Sequence, residues 1–440
     1  MLLRFGVENH RSIKGYQELS FMASRAIKDS PDPLRELPGI KGHVLPVAAL
    51  YGANASGKTS VVRALVYFQE AVLYSHRRGE PGSPILTNPF LLDEKFTSTP
   101  TRMNCDFVHD GVRYHFGFKL TSREIVEEWL YAYPNGRQQI WYHLKAGEPP
   151  VLGAALGRRR KDLYGKRPNS LFLSAAAQNN HEKLGMIIDY FRSWPSVYIG
   201  KSEAIQRKLG RMIADDAGKA RLLDIIRAAD IGVIDVDARK IVVDMSESAG
   251  EIEKIEQLDR EEFDNYAIII SNGDEIYRDG EGKAAVHSIV FKHTSSDGSD
   301  VTFPWRNESH GTHRYIYIAV PVLQALDTGS PIIVDELDSS LHPLLSRKIV
   351  ELFNNPRTNP KGAQLLFTTH DSSLLSRNLL RRDQIWFTEK DRGGATHLYP
   401  LTDIATRAHD NLEKGYLDGR FGAIPYVRPV DDWFNRKVDP

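Results

Sequence analysis

The sequence predicts an α/β fold whose two halves come together on one parallel sheet. Three observations point to it. The apolar run VLPVAALYG (44–52) ends at a glycine-rich loop and is followed by SVVRALVYFQEAVLYSH (60–76), with apolar residues at helical spacing. A second apolar run, PIIV (331–334), ends in the carboxylates Asp335 and Glu336. The last third alternates helix and strand at 312–327, 331–335, 344–354 and 364–369, the pattern of a parallel sheet covered by helices.

Taken in order, residues 1–25 read as strands with partial alternation, and a connector carrying Pro31, Pro33 and Pro38 follows. GEPGSP (79–84) breaks the first long helix. Segments across 103–145 alternate around Asp110-Gly111 and Asn135-Gly136, which predicts β-hairpins. GRRRKDLYGKR (157–167) is a basic loop, and 181–229 is helical. Strand returns at 232–245, an acidic helix is expected at 251–263, and more alternating strand follows. There is no internal repeat and no heptad run long enough for a coiled-coil arm. The expected division is an N-terminal lobe at 1–150, a helical lobe with inserted strands at 151–300, and a C-terminal lobe at 301–440.

Composition narrows the function. The 440 residues carry 57 basic and 57 acidic side chains, so the chain as a whole is not a generic polyanion binder. Cys105 is the only cysteine, which excludes a disulfide framework and a Cys-rich zinc site. No apolar run approaches the ~20 residues needed to span a bilayer, and Arg4 and Glu8 interrupt the N-terminus too early for a signal-peptide core. A cytoplasmic protein with no membrane partner is expected.

Gly52-Ala53-Asn54-Ala55-Ser56-Gly57-Lys58-Thr59 matches the phosphate-loop pattern G-x-x-x-x-G-K-[ST] in full. Its glycines let backbone N–H groups curl towards phosphate oxygens. Lys58 supplies a point charge for the β and γ phosphates, and Thr59 offers a hydroxyl to Mg²⁺. Asn54, Ser56 and Ser60 complete the expected nucleotide contacts, with the positive end of the following helix behind them. In such proteins an Asp at a strand tip holds Mg²⁺, here Asp335, and the adjacent Glu336 is placed to orient or deprotonate the attacking water. Lys58 and Asp335 stand 277 positions apart (335 − 58), so a large insertion separates the two halves of the site.

These residues resemble ABC-type ATPases of the SMC/Rad50/RecF/OLD group, and within it the bacterial AAA-15-type ATPases of abortive-infection and RloA-like defence loci. The opening RFGVENHRSIKGYQELS, with its Asn-x-Arg-Ser turn, and the ending EKGYLDGRFGAIP (413–425) carry the resemblance beyond the phosphate loop. It implies an ABC/SMC-like head with inserted β-hairpin and helical lobes and no long coiled coil. It also implies further site residues. Glu308-Ser309-His310-Gly311-Thr312 resembles the signature loop that caps the γ-phosphate bound by a partner subunit, with Ser309 and Gly311 kept; the alternative is a plain helix N-cap by Ser309. Leu337–His342 stands where the D-loop belongs, with His342 in place of the usual Asp. His370, after QLLFTT, resembles the switch histidine that reads the γ-phosphate. Gln178 is the candidate Q-loop ligand of Mg²⁺, the alternative being an ordinary polar helix position, and Arg11 is either a nucleotide contact or a solvated turn residue.

The basic loop Arg158, Arg159, Arg160, Lys161, Lys166 and Arg167 is either a nucleic-acid contact or a solvated run. Asp235 and Asp237 form a D-x-D that reads as strand alternation rather than a metal site, and no nuclease motif is present. The expected function is therefore hydrolysis of ATP with Mg²⁺, driving a dimerisation switch between ATP-sandwiched heads. Such a switch suits the sensor or regulator of an anti-phage system with a separately encoded nuclease or toxin as effector. The competing reading is a DNA-repair ATPase acting directly on DNA or RNA.

Overall fold

Five consecutive buried residues, Val47–Tyr51, are apolar on both faces, which only a strand covered on both sides can satisfy. The computed structural model describes residues 1–28, 33–156, 167–197, 202–242, 268–269, 275–278, 284–407 and 409–426. In chain order it contains β1 (Leu2–Glu8), β2 (Gln17–Ser20), β3 (Val47–Tyr51), α1 (Lys58–Arg78), β4 (Thr101–His109), β5 (Val112–Leu120), β6 (Ile125–Tyr133) and β7 (Gln139–Lys145). Then come α2 (Phe172–Gln178), α3 (Glu182–Arg192), α4 (Ser202–Ala214), α5 (Asp216–Ala228), β8 (Asp235–Val242), β9 (Ala284–Thr294), β10 (Asp300–Pro304) and α6 (His310–Thr328). The last part holds β11 (Pro331–Val334), α7 (Pro343–Asn354), β12 (Gln364–Thr368), β13 (Ile385–Lys390), β14 (Thr396–Pro400) and α8 (Leu412–Leu417).

The chain forms two compact units. The first comprises 1–196, 325–338 and 346–440; the second comprises 197–324 and 339–345. This differs from the expected boundaries at 150 and 300. Residues 167–192 stay with the first unit because α2 and α3 bury Leu173, Leu184, Ile187 and Phe191 in the same core as α1.

Among the described residues the first unit holds two large sheets and a two-stranded pair, Arg35–Glu36 with His43–Val44. One is antiparallel, in the order Val151–Leu152, β7, β6, β5, β4, β1, β2. Asp110 and Gly111 both take positive φ in its β4–β5 turn, as a two-residue hairpin loop of that sequence requires. The other sheet has the order Ser196–Val197, β11, β12, β3, β13, β14, and is parallel from β11 to β13. Helix α1 shares one core with both sheets. Its Phe68 stacks on Phe118 at 5.4 Å and meets Phe5 and Phe191 edge-on. Gln364 joins the sheets: its Oε1 accepts from Leu2 N (2.6 Å) and its Nε2 donates to Leu2 O (2.8 Å) and Leu45 O (3.2 Å).

The second unit packs α4, α5 and α6 on β8, β9 and β10 around Leu222, Ile226, Phe291, Trp305 and Ile316. Asp235 and Asp237 lie in β8. Asp235 is held between Lys292 (2.7 Å) and Lys219 (3.3 Å), with Asp237 at 4.0 Å from Lys219, so the pair forms an ion-paired sheet face. Burial pushes the Asp235 carboxyl up, but hydrogen bonds from Lys292 and Lys219 outweigh it and hold the acid below its ordinary range. Among the described residues the longest helix is α1, with 21 residues, and no helix is long and apolar enough to cross a membrane. The expected acidic helix at 251–263 and residues 157–166 of the basic loop lie outside the described residues. Arg167 is described, and its guanidinium donates to the His76 and Gly79 carbonyls at the end of α1, where a cation also suits the helix dipole.

Candidate nucleotide site

Parallel strands place their C-terminal ends on one edge, so the loops after β3, β11 and β12 meet there. The loop after β3 turns at Gly52 and Gly57. Gly57 has φ 111°, and a Cβ there would collide with Thr396; one at Gly52 would lie 2.5 Å from Ser56 Oγ and 2.6 Å from the Thr388 carbonyl. Only glycine fits either place. Lys58 then opens α1, whose first amides point out of the helix. Thr388 and Thr396 hold the loop from the other side: Ser56 Oγ lies 2.6 Å from Thr388 Oγ1, and Thr396 Oγ1 lies 3.1 Å from the Ser56 carbonyl and 2.8 Å from Ser12 Oγ.

Lys58 is buried, and its ammonium donates to the Gly52 (2.8 Å) and Ala53 (3.1 Å) carbonyls. Burial lowers its pKa to about 8, against the opposing pull of Asp335, Asp338 and Glu336. Although 276 positions apart, Thr59 Oγ1 and Asp335 Oδ1 approach to 3.5 Å, and Thr368 Oγ1 donates to the same carboxylate oxygen at 2.7 Å. Asp335 is buried at the end of β11. Two converging hard oxygens, one anionic, fit a divalent cation that takes its other ligands from phosphate and water.

Glu336 has φ 52°, a left-handed backbone that a non-glycine residue adopts at a cost. The conformation is held by its N–H donating to Thr368 Oγ1 (2.8 Å) and by Leu337 N donating to the Thr368 carbonyl (2.9 Å). His370, just beyond β12, is fixed through its own N–H to the Asp338 carboxylate at 3.2 and 3.3 Å. Burial and then the Lys58 charge lower its imidazole pKa, which favours the neutral ring. Glu336, His370 and residues 54–60 line one cavity of about 720 Å³.

The cavity also includes residues that the sequence reading did not single out. Ser12 lines it, as do Lys390 at the end of β13, Gly394 and the strap Thr87–Leu92. Arg11, left open from sequence, lines it as well. Arg11 has φ 55° and donates its N–H to Asn88 O at 2.5 Å. The strap is anchored by Asn9, whose Nδ2 donates to Phe96 O (2.8 Å) and Thr99 O (2.7 Å) and whose Oδ1 accepts from Phe90 N (2.9 Å). Thus the Asn-x-Arg-Ser turn builds one wall of the cavity. The signal for it in the sequence was the Asn-x-Arg-Ser turn itself. Gln178 is not brought to this cavity. It is exposed at the C-terminal end of α2, where Asn179 and Asn180 end the helix.

Ser309 and Gly311 belong to the second unit. Ser309 Oγ accepts from Thr312 N at 3.0 Å, the bond of an N-cap residue at the start of α6. Glu308 is tied to His293 at 2.7 Å, and a Cβ on Gly311 would lie 3.4 Å from the Ser340 carbonyl. His342 Nδ1 accepts from Leu344 N at 3.2 Å, which shapes the start of α7.

A family model described as "AAA domain, putative AbiEii toxin, Type IV TA system" matches residues 47–376, from β3 to just past His370. The chain belongs to this AAA_21 family. The matched range runs through both strands of the site and the long segment between them. No curated protein sequence matches the chain. Among solved structures, an Smc head bound to the C-terminal winged-helix domain of ScpA is 10% identical, with a TM-score of 0.44 over 91% of this chain and 97% of that one. A Pyrococcus furiosus Smc head with an extended coiled coil, bound to the C-terminal domain of ScpA, is 11% identical (TM-score 0.38; 91% and 96% covered). A Pyrococcus yayanosii Smc head with a coiled coil and joint is 10% identical (TM-score 0.38; 95% and 99% covered).

Proposed function

We propose that this AAA_21 chain binds ATP with Mg²⁺ in the cavity beside α1 and hydrolyses it to ADP and phosphate. The observation that carries this is the gathering of Lys58, the Thr59–Asp335 pair, Glu336 and His370 at one sheet edge. In this reading Lys58 and the loop amides hold the β and γ phosphates, assisted by the N-terminus of α1. Thr59 and Asp335 hold Mg²⁺, which neutralises charge on the phosphate oxygens. Glu336 orients a water and takes its proton as the water oxygen bonds to the γ phosphorus and the bond to the β–γ bridging oxygen breaks. Neutral His370 donates to a γ oxygen and so distinguishes ATP from ADP. The test is Glu336→Gln, which keeps the Mg²⁺ ligand and removes the base. Calorimetry should show ATP binding close to wild type while phosphate release falls by about 100-fold or more. Turnover at the wild-type rate would remove Glu336 from the mechanism.

The same reading makes Ser309 and Gly311 the cap on a nucleotide held by a second copy, so that ATP closes a two-fold dimer and hydrolysis opens it. Mixing Lys58→Ala with Ser309→Arg chains tests it. A mixed dimer has one site with both lesions and one with neither, so activity on the order of a quarter of wild type should return at equal mixing. Activity no higher than in the separate mutants, with mixed dimers present by light scattering, would refute shared sites. We further propose that the chain is a cytoplasmic regulator of a separate nuclease or toxin in anti-phage defence; the toxin–antitoxin wording of the family description supports membership of such a system.

A further inference from the structure

The C-terminal segment 411–425 has no part in the chemistry above, yet it is built against both sides of the site. Asn411 caps α8 through Lys414 N at 2.9 Å, and the chain then hooks back at Gly419 and Gly422. The hook closes on itself where Tyr416 Oη donates to Ala423 O at 3.3 Å, and Tyr399 Oη of β14 pins it by donating to Phe421 O at 3.0 Å. Its first outward contact is with the phosphate loop. The Tyr416 ring stands edge-on to Tyr51 at 5.7 Å and stacks on Phe387 of β13 at 5.7 Å. Tyr51 is the last strand residue before Gly52 opens the loop. Its second contact is with the segment after the histidine: Ser372 Oγ donates to Glu413 Oε1 at 3.0 Å. Arg377 adds a bond to the Asp410 carbonyl just ahead of the hook (2.9 Å).

Between these contacts the packing is not fully satisfied. Tyr51 Oη and Asp371 Oδ2 are buried without a hydrogen-bond partner, one at each of the two segments that the hook touches. Both groups lie where the hook meets the site, so these two segments are the ones whose order the hook's own bonds bear on.

We propose that the hook is a coupling element. Through Tyr416 it holds the start of the phosphate loop, and through Glu413 it holds the segment that carries His370, so that the two sides of the site move as one. Glu413 and Tyr416 are positioning residues. They touch neither nucleotide nor water in this scheme, and their effect falls on turnover more than on binding. The proposal rests on the ATPase reading for its kinetic consequence only.

Glu413→Ala removes the acceptor for Ser372, whereas Glu413→Gln keeps an oxygen there. Glu413→Ala should lower kcat by about tenfold, with the ATP dissociation constant within about twofold of wild type, and Glu413→Gln should restore most of the rate. Unchanged kcat in Glu413→Ala, or kcat and affinity falling together without rescue by Gln, would overturn the proposal. Hydrogen exchange on the unliganded full chain gives a second measurement that needs no turnover. Amides of both 52–59 and 368–374 should exchange faster in Glu413→Ala. Faster exchange confined to 368–374 would show that the hook does not link the two sides. Absence of wild-type ATPase would sink the ATPase reading, and the exchange pattern would still decide the coupling.

Discussion

The two walls of the cavity are made differently. On the phosphate side Lys58 is 6% exposed and the loop is pinned by hydroxyls from three separate segments. On the opposite side the strap presents Leu91 and Leu92 at 73% and 71% exposure, and it is held by the buried Asn9 at Phe90 and by the Arg11 N–H at Asn88. The first wall has a single geometry to keep, that of a phosphate chain. The second has apolar surface to spare and few bonds holding it. Binding energy should therefore concentrate on the first wall, and adjustable contacts on the second.

The largest expected effect breaks the phosphate wall outright. Lys58→Ala should weaken ATP binding by about 100-fold, or roughly 2.7 kcal/mol, by calorimetry. A loss under tenfold would mean that the loop amides and the α1 N-terminus carry the phosphates without it. Next in size is a pH effect on the same lysine. Its folded pKa of about 8 lies below the ordinary 10.5, so the folded chain gives up this proton first as pH rises. Two trends of opposite sign follow. Stability of the unliganded protein gains a contribution as pH climbs from 8 towards 10.5, because the burial cost of the charge disappears while the unfolded chain still binds the proton. ATP affinity falls over the same range, by up to about tenfold per pH unit, because the charge that attracts phosphate is lost. Affinity that stays flat from pH 7 to 9.5 would refute the lysine's part in binding. The smallest effect on binding belongs to the strap. Asn9→Ala removes three hydrogen bonds made by a buried side chain and a residue suited to φ 51°, at a cost of about 2–4 kcal/mol in unfolding free energy. ATP affinity should change only about two- to fivefold. A loss as large as that of Lys58→Ala would erase the distinction between the walls.

Legibility in the sequence followed locality. The phosphate loop is eight consecutive residues between a strand and a helix, and Asp335-Glu336 ends a clean apolar strand, so both were readable. The β-hairpins were marked by Asp110-Gly111 and Asn135-Gly136, whose backbone angles few other pairs accept. What stayed hidden is made of long-range bonds between ordinary residues. Asn9 reaching Phe90 and Thr99, and Tyr416 packing on Tyr51, leave no periodic trace. Lys390 enters the cavity only because β13 pairs with β3, a neighbour more than three hundred residues away. Gln178 followed an apolar helix as a Q-loop residue should, but α2 uses its buried face to pack on α1 and leaves its end outside the cavity. The unit boundary near 196 was missed because α2 and α3 look from sequence like the start of the helical insertion.

The placing of β3 also sets a timetable for synthesis. Its neighbours in the sheet are β12 and β13, and the Gln364 clamp on Leu2 comes from the same late stretch. Residues 47–51 leave the ribosome more than three hundred residues before either partner exists. At ordinary elongation rates that interval is roughly 15–60 s. Throughout it the nascent chain carries a bare apolar strand with both hydrogen-bonding edges open, next to a phosphate loop that has nothing to close on. The N-terminal sheet can form during the wait, but the nucleotide site cannot. Chaperone occupancy on stalled chains should accordingly persist until residue 390 has cleared the exit tunnel, and then drop in a single step.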